Sequence, residues 1–363
     1  MITKSYLFVL TPLLASALAW VLIPVLRKAA TCIGLVDHPN FRKVHSNCVP
    51  LVGGIAVFIS ANLAMLVSLL FDQSVKSLEL LFVLALMLLI MGAIDDRRDL
   101  RAILKLGIQL VIAHFVFMSG VRIESLYGIF GIYELAGWAQ YLLTVVIITG
   151  VVNAFNLMDG IDGLAAGMAI AGLGLFTVLA FLTGQYQLAL VFLTFIGSLL
   201  SFLRYNFSRK NKIFMGDAGS LVLGFIMVVG GIQMLQSTVS QSSEMIVLIG
   251  VMSVLMVPVL DAMRVFRIRI IAGKSPFAPD KNHLHHLVLA MGLRHSLASL
   301  TIVGISLFQV LVGYIAFLIA GALAAVISMI LLFMAIVHFL NLNSALRQET
   351  GQQCLTEIKA VRE

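Results

Sequence analysis

The chain has 363 residues, of which 61% are hydrophobic and 11% charged, whereas soluble domains carry about 25% charged residues. This composition excludes an ordinary soluble globular protein. The net charge of +7 is better explained by cations gathered at one membrane surface than by nucleic-acid binding.

Long apolar runs dominate the chain from beginning to end. A helix crosses the hydrocarbon layer with about 20 apolar residues, and continuous apolarity is typical of helices rather than of the alternating strands of a barrel. Eleven runs are found, at about residues 5–27, 49–71, 78–94, 101–119, 138–155, 161–181, 185–204, 217–236, 245–271, 297–318 and 320–342. We therefore predict an all-α, polytopic membrane helix bundle of about eleven spans. It forms a single domain over residues 1–363 with a short tail at 343–363, and its first run is expected to be a retained span rather than a signal peptide.

The charged residues predict an orientation and a site. With eleven spans, every Lys and Arg except Lys4, Lys76 and Arg122 falls on one side, which the positive-inside rule makes cytoplasmic. The C-terminus is then cytoplasmic and the N-terminus lies on the other side, which is periplasmic if the membrane is a bacterial inner membrane. All aspartates but Asp72 gather at the same end, and ionisable groups at span ends are costly. Surface ion pairs and helix N-caps would explain a few of these aspartates. The gathering of nearly all of them at one end predicts a metal and phosphate site at the cytoplasmic face.

A basic loop precedes the second run. It contains Arg42 and Lys43, and the glycine pair Gly53 and Gly54 opens the run. Cations followed by paired glycines suit an anionic ligand, so we predict substrate contacts for these four residues. The positive-inside rule alone also explains the two cations.

Two adjacent carboxylates, Asp95 and Asp96, end the third run in the string GAIDDRRD. Their mutual repulsion would be relieved by a bound cation or by a proton on one of them. A solvated turn containing an Asp-Asp pair beside an Arg-Arg pair is an alternative of equal weight.

Four polar residues between the fifth and sixth runs are spaced three apart: Asn153, Asn156, Asp159 and Asp162. In a helix they would form one polar ridge at membrane depth, where an unpaired polar group is expensive. The pattern therefore favours a functional site over a purely structural arrangement.

Asp217 opens the eighth run between two glycines and follows a cationic stretch. A carboxylate in this position suits a metal or phosphate site, and it also suits a simple helix N-cap. The residue pattern alone leaves both interpretations open.

Three histidines, His283, His285 and His286, lie in the largest predicted cytoplasmic loop. Such a cluster can ligate zinc, donate hydrogen bonds to phosphate or hold a proton near neutral pH. Zinc would require a fourth ligand and the cysteines are poorly placed, so phosphate or sugar contact is preferred.

These five strings, in this order over residues 37–286, closely resemble the polyprenyl-phosphate N-acetylhexosamine 1-phosphate transferase family. The strings DHPNFRK, NAFN and SPF followed by DKNHLHH favour the branch that uses UDP-N-acetylglucosamine and undecaprenyl phosphate over the peptidoglycan branch. The resemblance implies transfer of N-acetylglucosamine 1-phosphate to the lipid with release of UMP, as the first membrane step of O-antigen or enterobacterial common antigen-type synthesis. It further implies contact with membrane lipids and, at family level, a homodimer, with no nucleic-acid partner.

The resemblance also implies roles for individual residues. Asp217, with help from Asn156, would hold Mg²⁺, for which Mn²⁺ is an expected substitute. Lys105 would bind phosphate, and Asp162 with Asp159 would face the uridine. The remaining expected contacts are sugar and pyrophosphate for His283, His285 and His286, and lipid phosphate for Asp95 and Asp96. We therefore predict Asp95, Asp96, Asp159 and His283 as catalytic, with Asn153 among the substrate contacts.

Two rival functions explain some of the same features. A transporter for a phosphorylated or anionic solute would also place basic and polar groups at span ends, but it predicts ionisable groups near the bilayer midplane. A zinc-dependent membrane hydrolase would use the histidine cluster.

Overall fold

The computed structural model describes residues 5–37, 48–71, 79–238, 241–276, 280 and 282–360, and gives only the backbone for 241–242 and 344–360. In these ranges the chain forms eleven α-helices, one short 3-10 helix at Ile129–Gly131 and a two-stranded hairpin. The helices are α1 Leu7–Ile33, α2 Gly53–Leu69, α3 Glu79–Arg98, α4 Ala102–Met118, α5 Gly137–Met158, α6 Leu164–Leu182, α7 Tyr186–Asn206, α8 Gly216–Gln236, α9 Gln241–Ile271, α10 Leu284–Ala290 and α11 His295–Ala360. The strands β1 Val36–Asp37 and β2 Val49–Pro50 pair antiparallel.

Each predicted apolar run coincides with a helix, which confirms the all-α class. The last two runs are the two arms of α11, which breaks at Gly321 because that residue takes the conformation φ 83°, ψ −176°. Among the residues that the structure describes, seven helical segments are long and apolar enough to cross a membrane: Leu7–Ile33, Gly137–Met158, Leu164–Leu182, Tyr186–Asn206, Gly216–Gln236, Ser243–Ile271 and His295–Asn343. The count of eleven spans stays a prediction, because α2 and α4 are shorter and α3 ends in charged residues.

Helix α8 forms the centre of the bundle. In an apolar stretch of 18 residues of α8, 94% of the residues are buried, against 22% in the corresponding stretch of α1. Helices α2, α3, α5, α6 and α9 pack around α8. The start of α8, which carries Asp217, is therefore surrounded by the ends of other helices.

The glycine pair that opens α2 makes the closest approach to α8. A Cβ on Gly54 would lie 2.0 Å from the Gly219 Cα, so the two backbones are in direct contact. The backbone N–H groups of Gly53 and Gly54 donate to the carbonyls of Phe214 and Met215, each at 2.9 Å. Both glycines, predicted as substrate contacts, thus occupy buried packing positions. The other two predicted contacts in this region, Arg42 and Lys43, lie outside the described residues.

Candidate active site

The ends of four helices converge at one end of the bundle. Helix α3 finishes there with Asp95 and Asp96, and α4 starts there and carries Lys105. Helix α5 brings Asn156 near its last turn, and α8 begins there with Asp217 in its first turn. Motifs separated by up to 122 positions in the chain therefore make direct contacts.

Asp96 caps the start of α8. Its Oδ1 accepts a hydrogen bond from the Asp217 backbone N–H at 2.8 Å, and its Oδ2 accepts one from Ala218 at 3.2 Å. A carboxylate there satisfies orphan backbone donors and interacts favourably with the positive end of the helix dipole. The preceding Gly216 has φ +73°, and a Cβ on it would lie 2.5 Å from the Asp96 Oδ2, so this close cap requires glycine.

Asp95 and Lys105 form a partly buried ion pair beside this cap. The Asp95 side chain is 2% exposed, and it accepts from the Leu100 backbone N–H at 2.8 Å and from the Lys105 Nζ at 2.5 Å. The Lys105 Nζ also lies 3.9 Å from the Asp217 Oδ2. Lys105 thus bridges Asp95 and Asp217, and it offsets the charge of one member of the Asp95–Asp96 pair.

Asp217 is the carboxylate of this group that remains open to a ligand. Its side chain is 38% exposed, and its Oδ1 accepts a hydrogen bond from the Asn156 Nδ2 at 3.0 Å. Asn156 also donates to the Ser220 Oγ at 2.9 Å, so its position is fixed.

The donor set at Asp217 fits Mg²⁺. Within the described ranges, no three His, Cys, Asp or Glu side chains converge as a metal-ligating group. Asp217 offers a carboxylate, and Asn156, whose Nδ2 faces that carboxylate here, would offer its amide oxygen after the side-chain amide flips. Mg²⁺ in phosphoryl-transfer sites is commonly held by one or two carboxylates, with waters and substrate phosphates as the other ligands. A magnesium ion that arrives with a nucleotide therefore suits these residues better than a closed structural metal site.

Asn153 faces helix α4 rather than open solvent. Its Nδ2 donates to the Gln109 Oε1 and, at 2.8 Å, to the Thr149 carbonyl. Gln109 is buried and lies one turn beyond Lys105 on α4. Gln109 was not predicted from the sequence, because a lone amide in an apolar run does not indicate its partner.

The polar ridge predicted along one helix is interrupted. Helix α5 ends at Met158, and residues 159–163 form a turn in which Gly163 has φ +78°. Asp159 and Asp162 consequently project from this turn, while Asn153 and Asn156 remain on the helix.

Asp162 binds two residues that sequence reasoning did not select. Its Oδ2 accepts from the Lys212 Nζ at 2.6 Å and lies 3.6 Å from the His295 Nδ1. Burial alone would raise the pKa of Asp162, but hydrogen bonds and charge from His295 and Lys212 outweigh it and lower that pKa. The Ser299 Oγ donates to the Asp162 carbonyl at 2.6 Å, which ties the turn to α11.

The pKa of Asp159 is shifted in the opposite direction from that of Asp162. Burial, reinforced by the negative charges of Asp96 and Asp162, raises the pKa of Asp159 to about 7. The folded protein therefore binds this proton more tightly than the unfolded chain does. The stabilising contribution of this proton is therefore complete below the unfolded pKa, about 4, and is lost as the pH rises through about 7.

We predict that Asp159→Asn removes this loss of stability, because the amide cannot ionise. In chelator-treated buffer, its melting temperature should exceed that of the wild type by roughly a few degrees at about pH 8 and converge with it at about pH 4. Thermal melts in detergent across this range provide the measurement. A difference that does not change with pH would contradict the assigned pKa.

The histidine cluster reaches the same turn from α10. His285 is 4% exposed, and a Cβ on Gly160 would lie 2.2 Å from its Nε2. Its ring lies 5.9 Å from the parallel His283 ring and 4.2 Å from that of His286. Burial, together with the neighbouring His286 and His283, lowers the pKa of His285 to about 3, so this ring is neutral at physiological pH.

Comparisons with known proteins identify relatives of this chain. Residues 78–235 match the model of glycosyl transferase family 4. A Bacillus subtilis (strain 168) protein named as a probable undecaprenyl-phosphate N-acetylglucosaminyl 1-phosphate transferase is 38% identical, with 78% of this chain and 77% of that protein covered.

Two further relatives are named undecaprenyl-phosphate alpha-N-acetylglucosaminyl 1-phosphate transferase. The Yersinia pestis protein is 34% identical over 74% of this chain and 73% of its own length. The Escherichia coli (strain K12) protein is 33% identical over 73% of this chain and 72% of its own length. The chain therefore belongs to glycosyl transferase family 4, among the polyprenyl-phosphate N-acetylhexosamine 1-phosphate transferases.

Proposed function

We propose that this protein transfers N-acetylglucosamine 1-phosphate from UDP-N-acetylglucosamine to undecaprenyl phosphate and releases UMP. The names of the relatives describe this type of transfer. The observation that carries the proposal is the open Asp217 carboxylate at the start of α8, set between Asn156 and Lys105. O-antigen-type synthesis is the pathway this product would begin.

Charge is the main obstacle to the reaction. The lipid phosphate is already largely ionised near neutral pH, because the second pKa of a phosphate monoester is about 6. It therefore needs no strong base, but it must approach a pyrophosphate that is itself negative. Bound at Asp217 and Asn156, Mg²⁺ would offset this repulsion and polarise the β-phosphoryl oxygens.

The chain's own residues position the two substrates. An oxygen of the lipid phosphate forms a bond to the β-phosphorus while the bond from that phosphorus to the UMP oxygen breaks. The Lys105 ammonium stabilises the negative charge on the transferring group. Asp95 and Asp96 act as positioning groups, since Asp95 fixes Lys105 and Asp96 fixes the start of α8.

The location of the site suits one water-soluble and one lipid substrate. All the contacting groups lie at one end of an apolar bundle, where cytosol and bilayer meet if the positive-inside orientation holds. This supports a cytoplasmic-face site in a bacterial inner membrane, with the N-terminus outside. Membrane lipids would surround the bundle, and a homodimer remains a family-level expectation.

Purified protein tests this proposal directly. Detergent-solubilised enzyme is incubated with Mg²⁺, undecaprenyl phosphate and a panel of UDP-sugars, and UMP release is measured. We expect turnover with UDP-N-acetylglucosamine that stops on chelation and returns with Mg²⁺ or Mn²⁺. Full activity without divalent metal would exclude the metal role, and solute flux in proteoliposomes without UMP release would favour a transporter.

A further inference from the structure

We propose that Asp261, in the last third of α9, is a positioning residue that orients the histidine cluster of the site; this inference rests on the proposed function. Asp261 is 2% exposed. In the described part of the chain it bonds to Arg264, His283 and Leu284, not to Asp217 or to the residues around Asp217. Its role would therefore be exerted through other residues.

One carboxylate of Asp261 organises the start of α10. Its Oδ1 accepts from the Leu284 backbone N–H at 3.0 Å and from the Arg264 guanidinium at 2.8 Å. Its Oδ2 lies 2.9 Å from the His283 Nδ1. His283 is the N-cap residue of α10 and makes no side-chain cap itself, so Asp261 supplies the cap from another helix.

These contacts select one tautomer of His283. An ionised carboxylate only accepts, so the His283 proton must be on Nδ1 and the lone pair on Nε2. That Nε2 lies 3.5 Å from a guanidinium nitrogen of Arg269, which only donates. Both neighbours therefore favour the same neutral tautomer.

Arg269 is itself held rigidly. It is 4% exposed, its Nε donates to the Asp280 Oδ2 at 2.6 Å, and it also donates to the Pro276 carbonyl. The guanidinium thus joins the loop after α9 to the His283 ring. A buried carboxylate and guanidinium are costly to desolvate, which suggests that they are retained for orientation rather than for stability alone.

The path from Asp261 to the site is short. The His283 ring lies parallel to that of His285, and His285 lies against Gly160, beside Asp159. A shift of α10 would therefore move His285 relative to the Asp159–Gly160 turn. Misplacement of binding groups by about 1 Å can cost about a hundredfold in rate.

The test uses Asp261→Asn, which preserves shape. The new Oδ1 can still accept from Leu284, but the new Nδ2 presents a hydrogen to the His283 Nδ1. The ring proton must then move to Nε2, where it faces the Arg269 donor. We expect kcat for UMP release to fall by about a hundredfold, with a much smaller change in the KM for undecaprenyl phosphate.

Nitrogen-15 NMR of histidine-labelled protein gives a readout that does not depend on turnover. The wild type should show the His283 Nδ1 protonated and the Nε2 unprotonated. The His283 signals are assigned by their absence from the spectrum of His283→Gln. Asp261→Asn should exchange the two. A wild-type His283 protonated at Nε2 would overturn the proposal even if the variant does not fold.

A double-mutant cycle separates positioning from general damage. If Asp261 acts through His283, adding Asp261→Asn to His283→Gln should cause little further loss of kcat, whereas independent effects would multiply. Ser253→Ala, at another buried polar position of α9, serves as the control and should keep near-normal activity. Multiplying effects would overturn the inference, whereas absence of UMP release by the wild type would instead overturn the proposed function.

Discussion

Asp217→Asn is expected to reduce UMP release by about a thousandfold or more while the protein still inserts and folds. Asp217 is the open carboxylate of the site, so its oxygen lone pairs are available to a metal ion that carries the pyrophosphate. Loss of a preorganised electrostatic group of this kind commonly costs about 10²–10³ in kcat, and loss of a metal ligand adds to that effect. The measurement is UMP release at saturating concentrations of both substrates.

Asp99→Asn is the matched control for this substitution. Asp99 is an exposed carboxylate at the same end of the bundle, three positions after the cap residue Asp96. Its backbone has φ 50°, which asparagine tolerates well. We expect near-normal turnover from Asp99→Asn, and near-normal turnover from Asp217→Asn would refute the assigned site.

Lys105→Met should remove activity and stability together. The substitution deletes the cation that faces the transferring phosphate, and it leaves the Asp95 carboxylate, 2% exposed, without its partner. Removing one partner of a buried ion pair typically costs about 3–5 kcal/mol; because Lys105 is 26% exposed, we expect a loss nearer the lower end. Thermal unfolding and UMP release measure the two effects.

The double variant Lys105→Met with Asp95→Asn distinguishes the two roles of the lysine. Neutralising Asp95 removes the uncompensated buried charge, so the melting temperature should recover much of its loss. Activity should stay low, because the phosphate still lacks its cation. Recovery of both properties would mean that Lys105 has a purely structural role.

The all-α fold could be predicted from the apolar runs, because each span must be continuously apolar to cross the bilayer. The break between the last two runs was predicted and lies at Gly321. The polar ridge was less well predicted: its spacing suited a helix through Asp162, but the glycines after Asp159 permit a turn, and Gly163 adopts φ +78°. Spacing alone does not show where a helix ends.

The site was predicted as a set of motifs but not as a set of contacts. A bound cation or a proton was predicted for the Asp95–Asp96 pair, but the observed partner of Asp96 is the start of α8, 121 positions away. Such long-range caps depend on helix packing and have no local signal. Asp261 and Gln109 were overlooked for the same reason, since a single polar residue in an apolar run does not reveal its partner.

The most direct test of the account follows the β-phosphorus of the donor. Purified protein is given UDP-N-acetylglucosamine labelled with ³²P at the β-position, together with Mg²⁺ and undecaprenyl phosphate. The account predicts that the label moves into the lipid fraction, with one unlabelled UMP released for each labelled lipid formed. Label that stays in water-soluble UDP while sugar enters the lipid, or label that never leaves the donor, would contradict sugar 1-phosphate transfer at this site.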